Sequence, residues 1–322
     1  MSEIIDIIRK NGILPIASIE NEIDAIPIGT ALYNAGIRVI EVTFRTDKAL
    51  ESMRVITSAF PGMYIGAGTV RTTKEVDQAM EAGCRFVVSP GVNAKIIKYC
   101  KKNGILIIPG VATASEIEEA LDLGIHLVKF FPCESMGGIR TIEALSRPYP
   151  DMTFLPSGGI TAENMMEYLE NPNVIAVNGS WLIEDDFHER QNFDEIEERA
   201  KKAVKRMLGF RIDHIAVNLP KDDLAEHAAA DFAELFDEEV TEDEQSFKAG
   251  EMFQAMKPSL RGLMGHMGVR TNSLERAEYY LSNRGVEFGL ENHDSIEEDS
   301  IYLNLEIAGT AIQVLQKHNS QV

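Results

Sequence analysis

Lys129 stands in the run LVKFFP, flanked by Val128, Phe130 and Phe131. A charged amine is costly to bury among such neighbours. The chemistry that uses an uncharged one is imine formation with a ketone. At a pKa of about 10.4, roughly one lysine in 2,500 is neutral at pH 7, and apolar surroundings favour the neutral form. A protonated imine draws electrons from the adjacent carbon–carbon bond, which can then break to leave an enamine. Cleavage also needs a base for the proton of the departing hydroxyl, and Glu41 in IRVIEVTFR is of the right type. Arg45 offers a planar fork suited to a substrate carboxylate, with Thr69 of MYIGAGTV as a further donor. Plainer readings stand beside these. Lys129 and Glu41 could form a structural ion pair, Arg45 could be a solvated rim residue, and Phe131 suits a pocket wall or ordinary core equally well.

Two glycine-bearing segments, PSGGI (156–160) and NGSW (178–181), follow late β-rich runs. Glycines there let backbone N–H groups approach an anion closely. Gly158, Gly159, Gly179 and Ser180 are therefore candidates for a phosphate cradle, and TAEN after the first segment is expected to open a helix whose dipole helps. Ordinary turn glycines are the bland alternative.

These residues need a scaffold that gathers them. Short β-rich runs start near Ile13, Ile37, Met63, Phe86, Leu106, Leu127, Thr153 and Val174, at intervals of 20 to 26 residues. Each gap holds a helix-length amphipathic segment, and several end in a glycine stop such as Gly36, Gly83, Gly104 or Gly124. Strands alternating with helices imply a parallel sheet. Eight units in about 200 residues fit a compact (β/α)8 barrel, a TIM barrel, better than an open doubly wound sheet, since no GxGxxG follows the first strand. Barrel sites lie at the C-terminal strand ends. Strand alternation then places Glu41, Arg45, Thr69 and Lys129 near that mouth, while Arg38, Ile40, Val42 and Phe44 face the helices.

The ordered motifs IEVTFRT, GAGTV, SPG, IPGV, KFFP, PSGGI and NGSW, within about residues 5–205, resemble the KDPG/KHG aldolase family, class I aldolases of 2-keto-3-deoxy-6-phosphogluconate and 4-hydroxy-2-oxoglutarate. The resemblance implies a trimeric (β/α)8 barrel that needs no metal or other cofactor and releases pyruvate plus an aldehyde. It also implies roles. Lys129 would be the Schiff-base lysine and Glu41 the acid/base. Arg45 and Thr69 would hold the pyruvate carboxylate, Pro90 and Phe131 would line the pocket, and Gly158, Gly159 and Ser180 would face the phosphate. The family often carries PTGGI and GGSW where this chain has Ser157 and Asn178, and alanine where it has Cys133. Ser157 keeps a hydroxyl. Asn178 is expected to set a side chain beside the phosphate turn and weaken any preference for phosphorylated substrates.

The rest of the chain differs in character. Residues 1–206 carry 22 Lys+Arg against 29 Asp+Glu, whereas 207–322 carry 9 against 22, which puts a boundary near Met207 after the helical run DEIEERAKKAVKRML. Within 207–322, DHIAVN (213–218) resembles GHMGVR (265–270), and AGEMFQAM (249–256) resembles AGTAIQVL (308–315). Paired βαβββ units forming a smaller α+β domain resemble the glyoxalase-like, vicinal-oxygen-chelate family. That resemblance matches metal-ligand positions to His214, Gln254, His266 and Gln313, a set without a carboxylate, so a degenerate module serving packing, sensing or oligomer contacts is expected rather than a metal centre. The net charge of −20 argues against nucleic-acid and anionic-membrane partners. No long apolar span or secretory signal is read, and three cysteines without a disulfide framework suit a reducing cytoplasm. The expected partner is a small keto acid. A barrel that binds sugar acids without turnover, its acidic domain reading occupancy, stays open as the alternative.

Overall fold

The computed structural model describes residues 2–183, 187, 192–258, 262–289 and 299–316. It divides into two compact units, Met1–Met207 and Leu208–Val322.

In the first unit, eight parallel strands follow one another: β1 (Ile13–Ala17), β2 (Val39–Thr43), β3 (Tyr64–Gly68), β4 (Phe86–Ser89), β5 (Leu106–Val111), β6 (Leu127–Phe130), β7 (Thr153–Pro156) and β8 (Val177–Gly179). Each pairs with its neighbour in sequence, β8 returns to β1, and single bridges Phe154–Val174 and Ser157–Asn178 join β7 to β8. The sheet thus closes on itself, a TIM-like α/β barrel rather than an open sheet. Val174 contributes one such bridge only, which is why β8 starts three residues later than the apolar run suggests.

Alternation along the strands separates the interior from the helix-facing side. Leu14, Val39, Phe86, Val88, Leu106, Ile108, Leu127 and Leu155 form a buried cluster with Ile8, and the helix Ser2–Asn11 adds Ile4 and Ile5. Phe86 reaches into space that only a glycine leaves open, because a Cβ on Gly66 would sit 2.2 Å from its ring. One pleat further on, the interior turns polar, with Glu41, Lys129 and Asn178 all buried. On the outer side, Arg38 stacks 3.6 Å over the Tyr33 ring and donates to the Tyr33 carbonyl at 2.6 Å. Capping boxes Thr72/Glu75 and Thr113/Glu116 start the helices after β3 and β5 within a few residues of the strand ends.

The TAEN segment leads into a short helix. The helix that follows spans only Met165–Leu169. Thr161 N–H donates to Asn164 Oδ1, and the N–H groups of Glu163 and Asn164 donate to Thr161 Oγ1. With the Met165 N–H donating to the Thr161 carbonyl at 3.1 Å, these bonds have the reciprocal form of a capping box, and they spend the donors locally.

The second unit is a seven-stranded sheet built from β9 (Arg211–Asn218), β10 (Val240–Glu242), β11 (Ser246–Ala249), β12 (Phe253–Met256), β13 (Gly265–Arg270), β14 (Ser300–Ile307) and β15 (Thr310–Leu315), in the order β10-β11-β12-β9-β13-β15-β14. Here β9 pairs with β12 in parallel, β13 pairs with β15 in parallel, and β9 meets β13 antiparallel. The similar segments DHIAVN and GHMGVR therefore lie side by side at the centre. Helix Asp222–Phe236 packs Ala225 and Ala229 against Phe247, Phe253 and Ala255.

Candidate active site

Lys129, third residue of β6, points into the barrel as its alternation with Val128 and Phe130 requires. It is buried, and its Nζ lies 3.4 Å from Glu41 Oε1. Glu41 is 1% exposed, in the middle of β2. It fits because β3 passes with a glycine, since a Cβ on Gly68 would stand 2.2 Å from Glu41 Oε1. The second carboxylate oxygen, Oε2, accepts from Asn178 Nδ2 at 2.9 Å. The same Nδ2 donates to the Leu14 carbonyl at 3.0 Å. Asn178 Oδ1 is buried with no hydrogen-bond partner among the described residues, a state that costs about 1–3 kcal/mol. The orientation of the amide follows from its surroundings: only an NH2 group can face two acceptors.

This corrects the expectation for Asn178. Its side chain turns into the barrel and grips Glu41 rather than flanking the phosphate turn, so it gives no ground for a weakened phosphate preference. The signal was present in sequence. Asn178 lies two residues beyond Ala176 in an apolar run, and strand alternation sends both to one face.

Above this polar layer opens a cavity of about 250 Å³. Lys129, Arg45, Thr69, Pro90, Phe131, Gly158, Gly159 and Ser180 all line it. Glu41 does not and sits beneath. Ile16, Val88, Ser89, Ser157, Ile160 and Gly179 complete the wall; of these, Ile16, Val88, Ser89 and Ile160 carried no chemical signature a sequence reading could single out. Phe131, 36% exposed and 5.6 Å from Lys129 Nζ to its ring centroid, is a wall residue rather than core.

Arg45 and Thr69 reach the cavity by other means than strand alternation. Both lie past their strand ends. Arg45 is an exposed rim residue, and Thr69 adopts a left-handed conformation with φ +57, which costs a non-glycine residue about 1–2 kcal/mol. Across the mouth, Gly158 and Gly159 take φ of +93 and +83, a backbone path that favours glycine. That turn is fastened from behind: Asn164 Nδ2 donates to the Gly159 carbonyl at 3.1 Å and to Glu134 Oε1 at 3.2 Å, and Tyr168 also donates to Glu134. Cys133 packs into the same network 3.5 Å from Tyr168 Oη, and burial pushes its thiol up to about 11.

In the second unit, His214 Nε2 and His266 Nε2 lie 3.1 Å apart, and His214 Nδ1 is 3.0 Å from Asp213 Oδ2. Gln313 Nε2 donates to Ser300 Oγ, while Gln254 pairs across the sheet with Ala216. Among the described residues no group of three or more His, Cys, Asp or Glu comes together to hold a metal. The two imidazoles meet through their Nε2 atoms, with the Asp213 carboxylate behind His214.

The first unit also matches known proteins. A sequence model described as "KDPG and KHG aldolase" matches residues 4–199. A 2-dehydro-3-deoxy-phosphogluconate aldolase from Treponema pallidum is 44% identical over 183 residues, 57% of this chain and 87% of that protein. The KHG/KDPG aldolase of Escherichia coli is 35% identical over 199 residues, 62% of this chain and 93% of the relative. Among solved structures, the 2-keto-3-deoxy-6-phosphogluconate aldolase of Zymomonas mobilis with 3-phosphoglycerate superposes with a TM-score of 0.59 at 39% identity, covering 63% of this chain and 95% of that one. A KDPG aldolase from Legionella pneumophila, with pyruvate captured as a covalent carbinolamine, superposes with a TM-score of 0.59 at 37% identity over 61% and 96%. With the family model spanning well over half of its length, the chain belongs to the KDPG and KHG aldolase family.

Proposed function

We propose that the protein is a class I aldolase that reversibly cleaves 2-keto-3-deoxy-6-phosphogluconate, 4-hydroxy-2-oxoglutarate or both to pyruvate and an aldehyde. The observation that carries this reading is the buried Lys129–Glu41 pair, 3.4 Å apart beneath a cavity rimmed by Arg45 and by two glycine turns.

Neutral Lys129 adds to the C2 carbonyl and gives a carbinolamine, the species held in the Legionella relative. Glu41 delivers a proton to the departing hydroxyl, water leaves, and a protonated imine remains. Glu41, now a carboxylate, takes the proton of the C4 hydroxyl as the C3–C4 bond breaks. The electron pair moves into the C2–C3 bond as an enamine, and the aldehyde departs. Protonation at C3 and addition of water release pyruvate and restore Lys129. Arg45 and Thr69 orient the keto-acid carboxylate, Pro90 and Phe131 form apolar walls, and N–H groups at Gly158, Gly159 and Ser180 receive a phosphate when the substrate has one. The imine is itself the electron sink, so this route calls on no metal or other cofactor. On the same reading the enzyme is a cytoplasmic homotrimer built through the barrel, and residues 207–322 are a glyoxalase-like module outside the reaction.

Borohydride reduction in the presence of pyruvate tests the reading. Mass spectrometry is expected to find the reduced adduct on Lys129, and Lys129→Ala is expected to lose both adduct and turnover. An unmodified Lys129, or an active Lys129→Ala variant, rejects it.

A further inference from the structure

We propose that Asn178 is a positioning residue that makes Glu41 a one-sided acid/base, directing its exchangeable proton to the oxygen that faces Lys129. The inference rests on the aldolase reading above and adds a residue to it. A carboxyl group has two equivalent oxygens, and a proton on the wrong one is useless to a reacting centre on the other side. Here the two are made unlike. Oε2 accepts the Asn178 Nδ2–H at 2.9 Å, whereas Oε1 lies 3.4 Å from Lys129 Nζ. The Asn178 N–H can only donate, so Oε2 must keep its lone pair, whereas Oε1 faces an amine that accepts when neutral; a proton on Oε1 keeps both contacts.

Asn178 is held for this task. It is fully buried in β8, Leu14 on the adjacent β1 takes the other N–H of its amide, and the bond to Glu41 crosses β1 to β2 inside the barrel. The side chain leaves its own Oδ1 unpartnered while keeping both donor bonds. A purely structural asparagine, free to settle where all its groups are paired, gains nothing from that arrangement. Glycine, which the resembling family often carries here, leaves room for a water to donate instead. A decisive substitution must therefore fill the site without donating.

Asn178→Leu removes the donor and excludes water at similar volume. Asn178→Asp keeps the shape and replaces the donor by a second carboxylate. Each is compared with the full-length wild type for keto-acid cleavage across pH, with circular dichroism confirming the fold. A carboxylate that loses a donor is protonated at higher pH, and one that gains a like-charged neighbour more so. Both variants are expected to lose kcat by about tenfold with KM changed less than about twofold. The acid limb of kcat/KM is expected to move up by about one pH unit in Asn178→Leu and further in Asn178→Asp. A folded variant of either kind with a wild-type kcat and acid limb overturns the role of Asn178. Should the Asn178→Leu variant fail to fold, the isosteric Asn178→Asp substitution decides alone. A wild type that neither traps pyruvate nor cleaves keto acids fails at an earlier point and rejects the aldolase reading itself.

Discussion

At the scale of single residues, the site depends as much on what is missing as on what is present. Glu41 occupies the volume that a side chain at position 68 would take. Gly68→Ala therefore pushes the carboxylate off Lys129, and a displacement near 1 Å is expected to cost about 100-fold in kcat. The overpacking adds about 1–3 kcal/mol of destabilisation. Steady-state kinetics together with a thermal melt separate the two effects, and a Gly68→Ala enzyme with wild-type kcat would contradict the placement of Glu41. Lys129, Glu41 and Arg45 were legible in the sequence because a charge is conspicuous in an apolar run. Gly68 was not, since its contribution is an absence, and Asn178 was misplaced because NGSW read as a turn while β8 runs through its first two residues. Among the cavity walls, Ile16, Val88 and Ile160 have ordinary core identities, and only the three-dimensional arrangement tells them from core.

Elements were legible wherever a period could run undisturbed. Spacing alone predicts the eight strands and the glycine stops between them, and alternation sorts Glu41 and Lys129 inward from Arg38 outward. It fails where strands end. Arg45 and Thr69 reach the cavity from loops, Thr69 through a left-handed backbone that no periodicity encodes. TAEN carries helix-start residues, and Thr161 and Asn164 cap the short helix that follows by binding one another's backbone. Another short connection, between β10 and β11, leads to a pH prediction. Burial opposes ionisation of Asp243, but hydrogen bonds from Lys248 and from the N–H groups of Gln245 and Ser246 outweigh it and hold the carboxyl down to about 2, against 3.8 ordinarily. A group depressed in the folded state adds stability above its unfolded value and loses it as pH falls through the folded one. Asp243→Asn is therefore expected to unfold more readily than wild type at pH 7 and to match it near pH 2 (acid and urea titrations read this). A gap that stays constant across that window would contradict the assignment. Side chains of this pair are 43% and 39% exposed, so the effect is modest.

For the whole molecule, the charge balance changes near Met207, and contacts within the chain divide it into two units after the same residue. All the residues assigned to the reaction lie before that point. A chain shortened to residues 1–209, which keeps the whole helix Phe193–Leu208, is expected to cleave whichever keto acid the full protein cleaves, with a similar kcat/KM. A collapse of turnover in a folded short chain would mean that the acidic part contributes to catalysis. The internal repeat of that part was visible as paired short motifs, and the parallel partners β9 with β12 and β13 with β15 give it physical form. The closure of the barrel has one more consequence, for the order in which a working enzyme comes into being. Glu41 and the amide that grips it are separated by 137 residues. While the ribosome is still adding the later strands, a nascent chain already holds its lysine and its carboxylate, but the carboxylate lacks its second anchor. The carboxylate gains that anchor only as the ring shuts, after the last strand has been made.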